Sequence, residues 1–64
     1  MTSAEDALRR LAAEEGEAWR EYLVTIRGRA GQEYLEIEPW AWAQLSHRLR
    51  SIRARRGWLR RAAA

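Results

Sequence analysis

The sequence contains no cysteine and only one histidine, and these two absences exclude several kinds of site. Without cysteine there is no disulfide framework and no thiolate metal site. The single histidine, His47, cannot form a histidine-based metal site within one chain. Ser46 is adjacent to His47, and neighbouring residues diverge on a helix, so the two do not form a nucleophile–base pair. We therefore expect no metal, no cofactor, no small-molecule substrate and no enzymatic activity.

The sequence also lacks long apolar runs and is short. No stretch of about 18 apolar residues is present, and the first residues lack the positive charge and apolar segment of a signal peptide. We expect a soluble, cytoplasmic protein that does not associate with membranes. Residues 1–64 are predicted to form one small domain, which buries only about 60% of its unfolded surface. Its stability has to come from helix and sheet packing or from oligomerisation.

No acidic residue follows Glu38, and no lysine occurs anywhere. Residues 1–38 contain nine acidic residues against five arginines, a net charge of −4. Residues 39–64 contain seven arginines and no acidic residue, a net charge of +7, and together the two parts return the overall +3. Such a division predicts a basic segment that binds a polyanion or an acidic partner.

The first 38 residues predict a helix followed by a β-hairpin. Thr2 with Glu5, and Ser3 with Asp6, form overlapping capping boxes before a run of helix-forming residues. We predict a helix over about 4–19, with an apolar stripe at Ala4, Leu8, Leu11, Ala18 and Tyr22. Residues 22–28 are rich in β-branched and aromatic side chains, and 33–38 alternate polar with apolar, so both predict strands joined by a loop with Gly31.

The remaining residues predict a second helix over about 39–56 and a frayed basic tail over 57–64. Pro39 is suited to the first helical position, and Gly57 to the residue just after the helix. The core stripe of this helix is Trp42, Leu45, Leu49 and Ile52, with Ala41 beside it.

The predicted fold is therefore α+β, a small two-layer α-β-β-α arrangement of helix, β-hairpin and helix. A two-stranded ribbon leaves both edges unpaired and is marginal in water. We expect a homodimer that extends the sheet or exchanges helices.

The arginines of the second helix provide the main functional candidates. Helical phase predicts that Arg48 and Arg55 lie beside the stripe, and that Glu5, Glu14 and Glu21 flank the stripe of the first helix, so that Glu-to-Arg pairs can join the two helices. The arginines in excess of these pairs are predicted to contact nucleic acid or a nucleoprotein complex, mainly through phosphates. These residues are Arg50, Arg53, Arg56, Arg60 and Arg61.

The four tryptophans divide into two groups. Trp42 and Trp19 are predicted to lie in the core, whereas Trp40 and Trp58 point away from the stripe. Exposed tryptophan beside arginine is typical of protein–protein hot spots and of base-stacking platforms.

An alternative function is therefore a protein-directed regulator or inhibitor, similar in style to the small antitoxins and inhibitors of phages and plasmids. It would act through its acidic helix–hairpin surface and exposed tryptophans. Trp40, Trp58, Tyr34 and Glu36 are the predicted contacts with a protein partner.

Overall fold

A computed structural model describes residues 2–63 as a hairpin of two helices. Helix α1 covers Ser3–Ile26, helix α2 covers Gly31–Ala63, and residues 27–30 form the turn between them. The molecule measures 48 × 17 × 9 Å. A helix rises about 1.5 Å per residue, so the 33 residues of α2 account for the full length. The two helices lie side by side in a single layer.

The predicted α+β fold is wrong, because no strand is present among residues 2–63. The first predicted strand, 22–28, runs from the last turns of α1 into the turn, and the second, 33–38, lies in the first turns of α2. Residues 22–26 prefer strands locally, but Tyr22 and Thr25 continue the spacing of the α1 stripe and are half-buried there. Packing against α2 outweighs the local preference. A dimer built on open sheet edges therefore has no structural basis.

Helix α1 begins as predicted and ends later. The Thr2 Oγ1 accepts a hydrogen bond from the backbone N–H of Glu5 at 3.0 Å, which satisfies one free donor of the first turn. Gly16 lies inside the helix, and α1 continues seven residues beyond the predicted end at Trp19. Gly28 and Gly31 have φ values of 75° and 59°, a region that favours glycine, and they allow the reversal of the chain.

Helix α2 begins at Gly31, eight residues before its predicted start at Pro39, and continues through Gly57 to Ala63. Pro39 is therefore an interior residue. It has no N–H to donate to the Leu35 carbonyl, and its ring crowds the preceding turn, which bends a helix and costs stability. The predicted cap at Gly57 is replaced by continuous helix, and the last predicted tail residue, Ala64, is outside the described residues.

The core is a row of side chains along the contact between the helices, which we call the first seam. Its buried members are Leu11 and Ala18 of α1 and Ala41, Leu45, Leu49 and Ile52 of α2. On α1 seven of the buried and half-buried positions follow one another in alternating steps of four and three residues, the pattern of a coiled coil. These positions are Ala4, Leu8, Leu11, Glu15, Ala18, Tyr22 and Thr25. The predicted stripe residues Leu45, Leu49 and Ile52 are confirmed, whereas Trp42 is partly exposed.

Candidate nucleic-acid interface

Two ion pairs join the helices along one side of the first seam. Arg48 pairs with Glu21, and the Nη2 of Arg55 lies 2.8 Å from the Oε2 of Glu14. Helical phase predicted glutamate–arginine pairs at this place but did not assign the partners, and Glu5, the third predicted glutamate, is not among them. Each is exposed, and exposed ion pairs typically contribute about 0–1 kcal/mol. They neutralise two of the seven arginines of residues 39–64.

A third ion pair lies within the seam and corrects one predicted site residue. The Nη2 of Arg56 is 2.9 Å from Oε1 of Glu15, and both residues are half-buried. Arg56 was expected to be free for phosphate, but its guanidinium is held by α1. The coiled-coil spacing of Leu8, Glu15 and Tyr22 places Glu15 in the seam, and the sequence interpretation missed this signal.

A second polar contact crosses the seam near the turn. The Tyr22 hydroxyl donates a hydrogen bond of 2.7 Å to Oε2 of Glu38. This hydrogen bond, together with desolvation and the negative charge of Glu38, raises the pKa of Tyr22 to about 12. Polar pairs inside an otherwise apolar seam favour one register, because sliding the helices would separate the partners. Tyr22 with Glu38 and Glu15 with Arg56 therefore specify the alignment of α1 and α2.

Four other arginines of α2 form an exposed cluster, which we call the arginine patch. Arg50, Arg53, Arg60 and Arg61 are exposed, and none has a hydrogen bond or ion pair within residues 2–63. They surround Gly57: Arg53 is four residues before it, Arg60 and Arg61 are three and four after it, and Arg50 is one turn further away. A Cβ on Gly57 would lie 3.4 Å from Nη1 of Arg61, so the Arg61 side chain lies close over the bare glycine.

No acidic side chain among residues 2–63 forms an ion pair with the arginine patch. Residues 39–64 contain none. On α1, Glu14, Glu15 and Glu21 are bound to other arginines of α2. The patch therefore presents four guanidinium groups whose charge nothing in α2 offsets.

The tryptophans do not belong to this patch. Trp40 and Trp58 are exposed, as predicted. They are 18 residues and therefore five helical turns apart, so they share one side of α2 about 27 Å from each other. That side also carries the ion pairs, since Trp40 lines a cleft with Glu21 and Arg48. Trp58 lines a cleft with Leu11 and Leu59 at the open end of the hairpin.

Trp19 and Trp42, both predicted as core residues, are partly exposed. They lie on either side of Tyr22, with edge-to-face ring centroid distances of 6.2 Å to Trp19 and 5.8 Å to Trp42. Such arrangements suit the charge distribution of aromatic rings. The three rings form one aromatic row that crosses from α1 to α2.

Tyr34 and Glu36, predicted partner contacts, are exposed in the first turns of α2. A strand would have placed them on one face, but residues two apart on a helix point about 200° apart. Glu36 accepts a hydrogen bond from Gln32 at 3.1 Å. The structure does not bring Tyr34 and Glu36 together.

Residues 2–63 include no helix that is both long and apolar enough to cross a membrane. Within the same range, no group of three or more acidic or histidine side chains is arranged to hold a metal ion. Comparison with protein-family models, curated proteins and solved structures finds no match. The function has to be inferred from the geometry of the chain itself.

Proposed function

We propose that the arginine patch binds the phosphate backbone of a nucleic acid. The observation that carries this proposal is the cluster of Arg50, Arg53, Arg60 and Arg61 around Gly57, exposed and without acidic partners. The guanidinium group donates two parallel hydrogen bonds to phosphate oxygens, which a lysine ammonium does not match. The absence of a side chain on Gly57 lets the Arg61 guanidinium lie against the helix among the other three arginines.

The dimensions of the patch suit several consecutive phosphates. From Arg50 to Arg61 the helix rises about 16 Å, at about 1.5 Å per residue. B-form DNA presents one phosphate per strand for about every 3.4 Å of its axis, so this length faces roughly five phosphates of one strand. Phosphate contacts position a protein without reading the bases. We expect binding that depends strongly on salt and weakly on sequence.

The protein-directed alternative has less support from the geometry. It requires an acidic surface on the first helix and a hairpin, and the hairpin is absent from residues 2–63. Three glutamates of α1 are occupied by arginines of α2, so much of the acidic charge is neutralised within the chain. The exposed Trp40 and Trp58 remain compatible with a protein partner.

Charge reversal of Arg53 and Arg60 tests the proposal. These residues are seven apart on one side of α2 and outside the first seam, so the double variant Arg53→Glu, Arg60→Glu should fold. We expect weaker binding to labelled duplex and single-stranded DNA and RNA alike, measured by fluorescence anisotropy across a salt series. The slope of log K against log salt should become shallower by about 0.7–0.9 for each lost phosphate contact.

The matched control is Arg20→Glu with Arg27→Glu, which makes the same change in net charge on exposed residues away from the patch. We expect the control to retain most of the binding. Equal loss in both double variants would show that overall charge, and not the patch, is responsible. If the wild-type protein shows no salt-dependent binding to any of the nucleic acids, the proposal is wrong.

A further inference from the structure

Each helix carries a second row of side chains beside the first seam, which we call the second seam. On both helices its positions are spaced by four and three residues in alternation, the same coiled-coil pattern as the first seam. On α1 these positions are Ala12, Gly16, Trp19, Leu23 and Ile26, and on α2 they are Leu35, Pro39, Trp42, Ser46 and Leu49. None of the ten is charged. A helix with two adjacent apolar rows is typical of a bundle with more than two helices.

Most of the second seam is exposed in the hairpin, although Ile26 and Ser46 are half-buried and Leu49 is a buried position that it shares with the first seam. Leu35 and Leu23 are 66% and 53% exposed, and Trp42 and Trp19 are 48% and 39% exposed. The contacts of both tryptophans with Tyr22 place the rows of α1 and α2 on the same side of the molecule. This is the side opposite the ion pairs of Glu14 and Glu21, because Trp19 and Glu21 are about 200° apart on α1. The two rows therefore form one continuous apolar surface.

The hairpin alone leaves more surface exposed than a compact protein of its mass. Its accessible surface is 4959 Å². A compact monomer of 7.5 kDa is expected to expose about 4250 Å², some 700 Å² less. A standard protein interface buries about 800 Å² on each partner. A partner that buries an area of this size on the second seam would add a second layer of helices and complete a two-layer core.

Gly16 provides separate evidence that another molecule approaches the second seam. Glycine in a helix interior is destabilising relative to alanine. A Cβ at Gly16 would meet nothing within 4 Å, so packing within the hairpin does not require glycine there. Gly16 lies between Trp19 and Ala12 in the seam. The exposed backbone at Gly16, beside the Trp19 side chain, leaves space in which a bulky side chain of another molecule can pack.

We propose that a second copy of this chain covers the second seam and forms an antiparallel four-helix dimer. A twofold interface places the same surface on both partners, and the uncharged seam, with large residues beside small ones, is complementary to itself. The seam lies near the turn, and the arginine patch lies towards the open end of the hairpin. An antiparallel arrangement keeps the two patches at opposite ends, whereas a parallel one would bring like charges together. The dimer does not depend on the proposed nucleic-acid binding.

The variant Gly16→Arg tests this interface. Arginine is a better helix former than glycine, and the new side chain meets open space in an isolated hairpin, so the fold should persist. In the dimer it places an unpaired charge in an apolar contact. Sedimentation equilibrium at tens of micromolar should show twice 7.5 kDa for the wild type. We expect the dissociation constant of Gly16→Arg to rise by about tenfold or more.

The matched control is Val24→Arg, which adds the same charge at an exposed residue of α1 outside the second seam. It should dimerise like the wild type. A second comparison uses two double variants: Trp19→Gln with Trp42→Gln should dissociate the dimer, and Trp40→Gln with Trp58→Gln should not. A wild-type monomer with a cooperative melt independent of concentration would overturn the proposal. Equal dimerisation of Gly16→Arg and Val24→Arg would overturn it as well.

Discussion

One side of α2 changes in chemistry along its length. The half near the turn differs from the half near the open end of the hairpin. From Leu35 to Leu49 this side is uncharged and includes Trp42. Beyond Leu49 it continues with Arg53, Gly57 and Arg60, and no acidic residue accompanies them. One continuous helix thus provides an apolar surface suited to a second copy of the chain and a cationic surface suited to phosphate.

The first seam shows no such contrast. Its buried side chains extend from Leu11 towards the open end to Ala41 towards the turn, and its polar residues Glu15 and Tyr22 are paired with residues of the other helix. The two halves therefore share one folding core and differ in the partners that their outer surfaces favour. Substitutions in the first seam should affect both halves together, whereas substitutions outside it should affect one half.

The largest expected effect comes from the first seam. Leu45 is 2% exposed, and Leu45→Ala should lower the free energy of unfolding by about 2–5 kcal/mol, because it leaves a cavity between the helices. Helical content and thermal melting by circular dichroism measure this loss. Leu23→Ala, in the exposed second seam, should cost less and its effect should depend on protein concentration. A melting temperature of Leu45→Ala within a few degrees of the wild type would contradict the assigned core.

A smaller effect of opposite sign is expected at Pro39. Pro39→Ala restores a backbone donor for the Leu35 carbonyl and removes the steric conflict, so it should stabilise α2 by up to about 3 kcal/mol. Gly57→Ala, which replaces a helix-interior glycine near the open end of the hairpin, should stabilise α2 by about 1 kcal/mol or less. Denaturant unfolding of both variants gives the comparison. If Pro39→Ala has no stabilising effect, Pro39 begins a helix, as the sequence suggested, and is not inside one.

The smallest expected effect is the pH dependence due to Tyr22. Its pKa is raised from 10.0 to about 12 in the folded chain, mainly by the hydrogen bond to Glu38. The protonated hydroxyl is therefore favoured by folding. Its contribution to stability is complete below pH 10 and is lost as the pH rises from 10 towards 12.

In thermal melts across this alkaline range, the melting temperature of the wild type should decline as the pH rises. The decline should be smaller in Tyr22→Phe. Tyr34→Phe is the comparison: Tyr34 does not donate to Glu38 and makes only the smallest contribution to the raised pKa of Tyr22, so the decline should persist in this variant. An equal decline in wild type and Tyr22→Phe would show that the hydrogen bond to Glu38 does not contribute.

Local sequence signals predicted the parts of the fold that depend on nearby residues. The cap at Thr2 and the stripe of Leu45, Leu49 and Ile52 follow from residue types and helical spacing. The same spacing predicted Glu-to-Arg pairs beside the seam, and the structure assigns them as Glu14 with Arg55 and Glu21 with Arg48. Four of the five arginines predicted to be available for phosphate have no partner in residues 2–63, and Arg56 is the exception.

The segment from Tyr22 to Glu38 was the part that local signals misassigned. Its β-branched and aromatic residues have strand preferences, and short apolar runs fit a strand or a helix equally well by periodicity. The decision came from contacts distant in the chain. Tyr22 contacts Trp42 and donates to Glu38, and both contacts join the last turns of α1 to α2 in the packed hairpin.

The sequence by itself determined the separation of charge, the start of α1 and the helical phase of the second half, because these depend on composition and on steps of three or four residues. The tertiary structure decided that α1 and α2 extend to meet at the turn. It also decided which arginines are neutralised and which apolar side chains remain exposed. Pairing and burial depend on which surfaces of the two helices face each other, and only the packed hairpin establishes that relation.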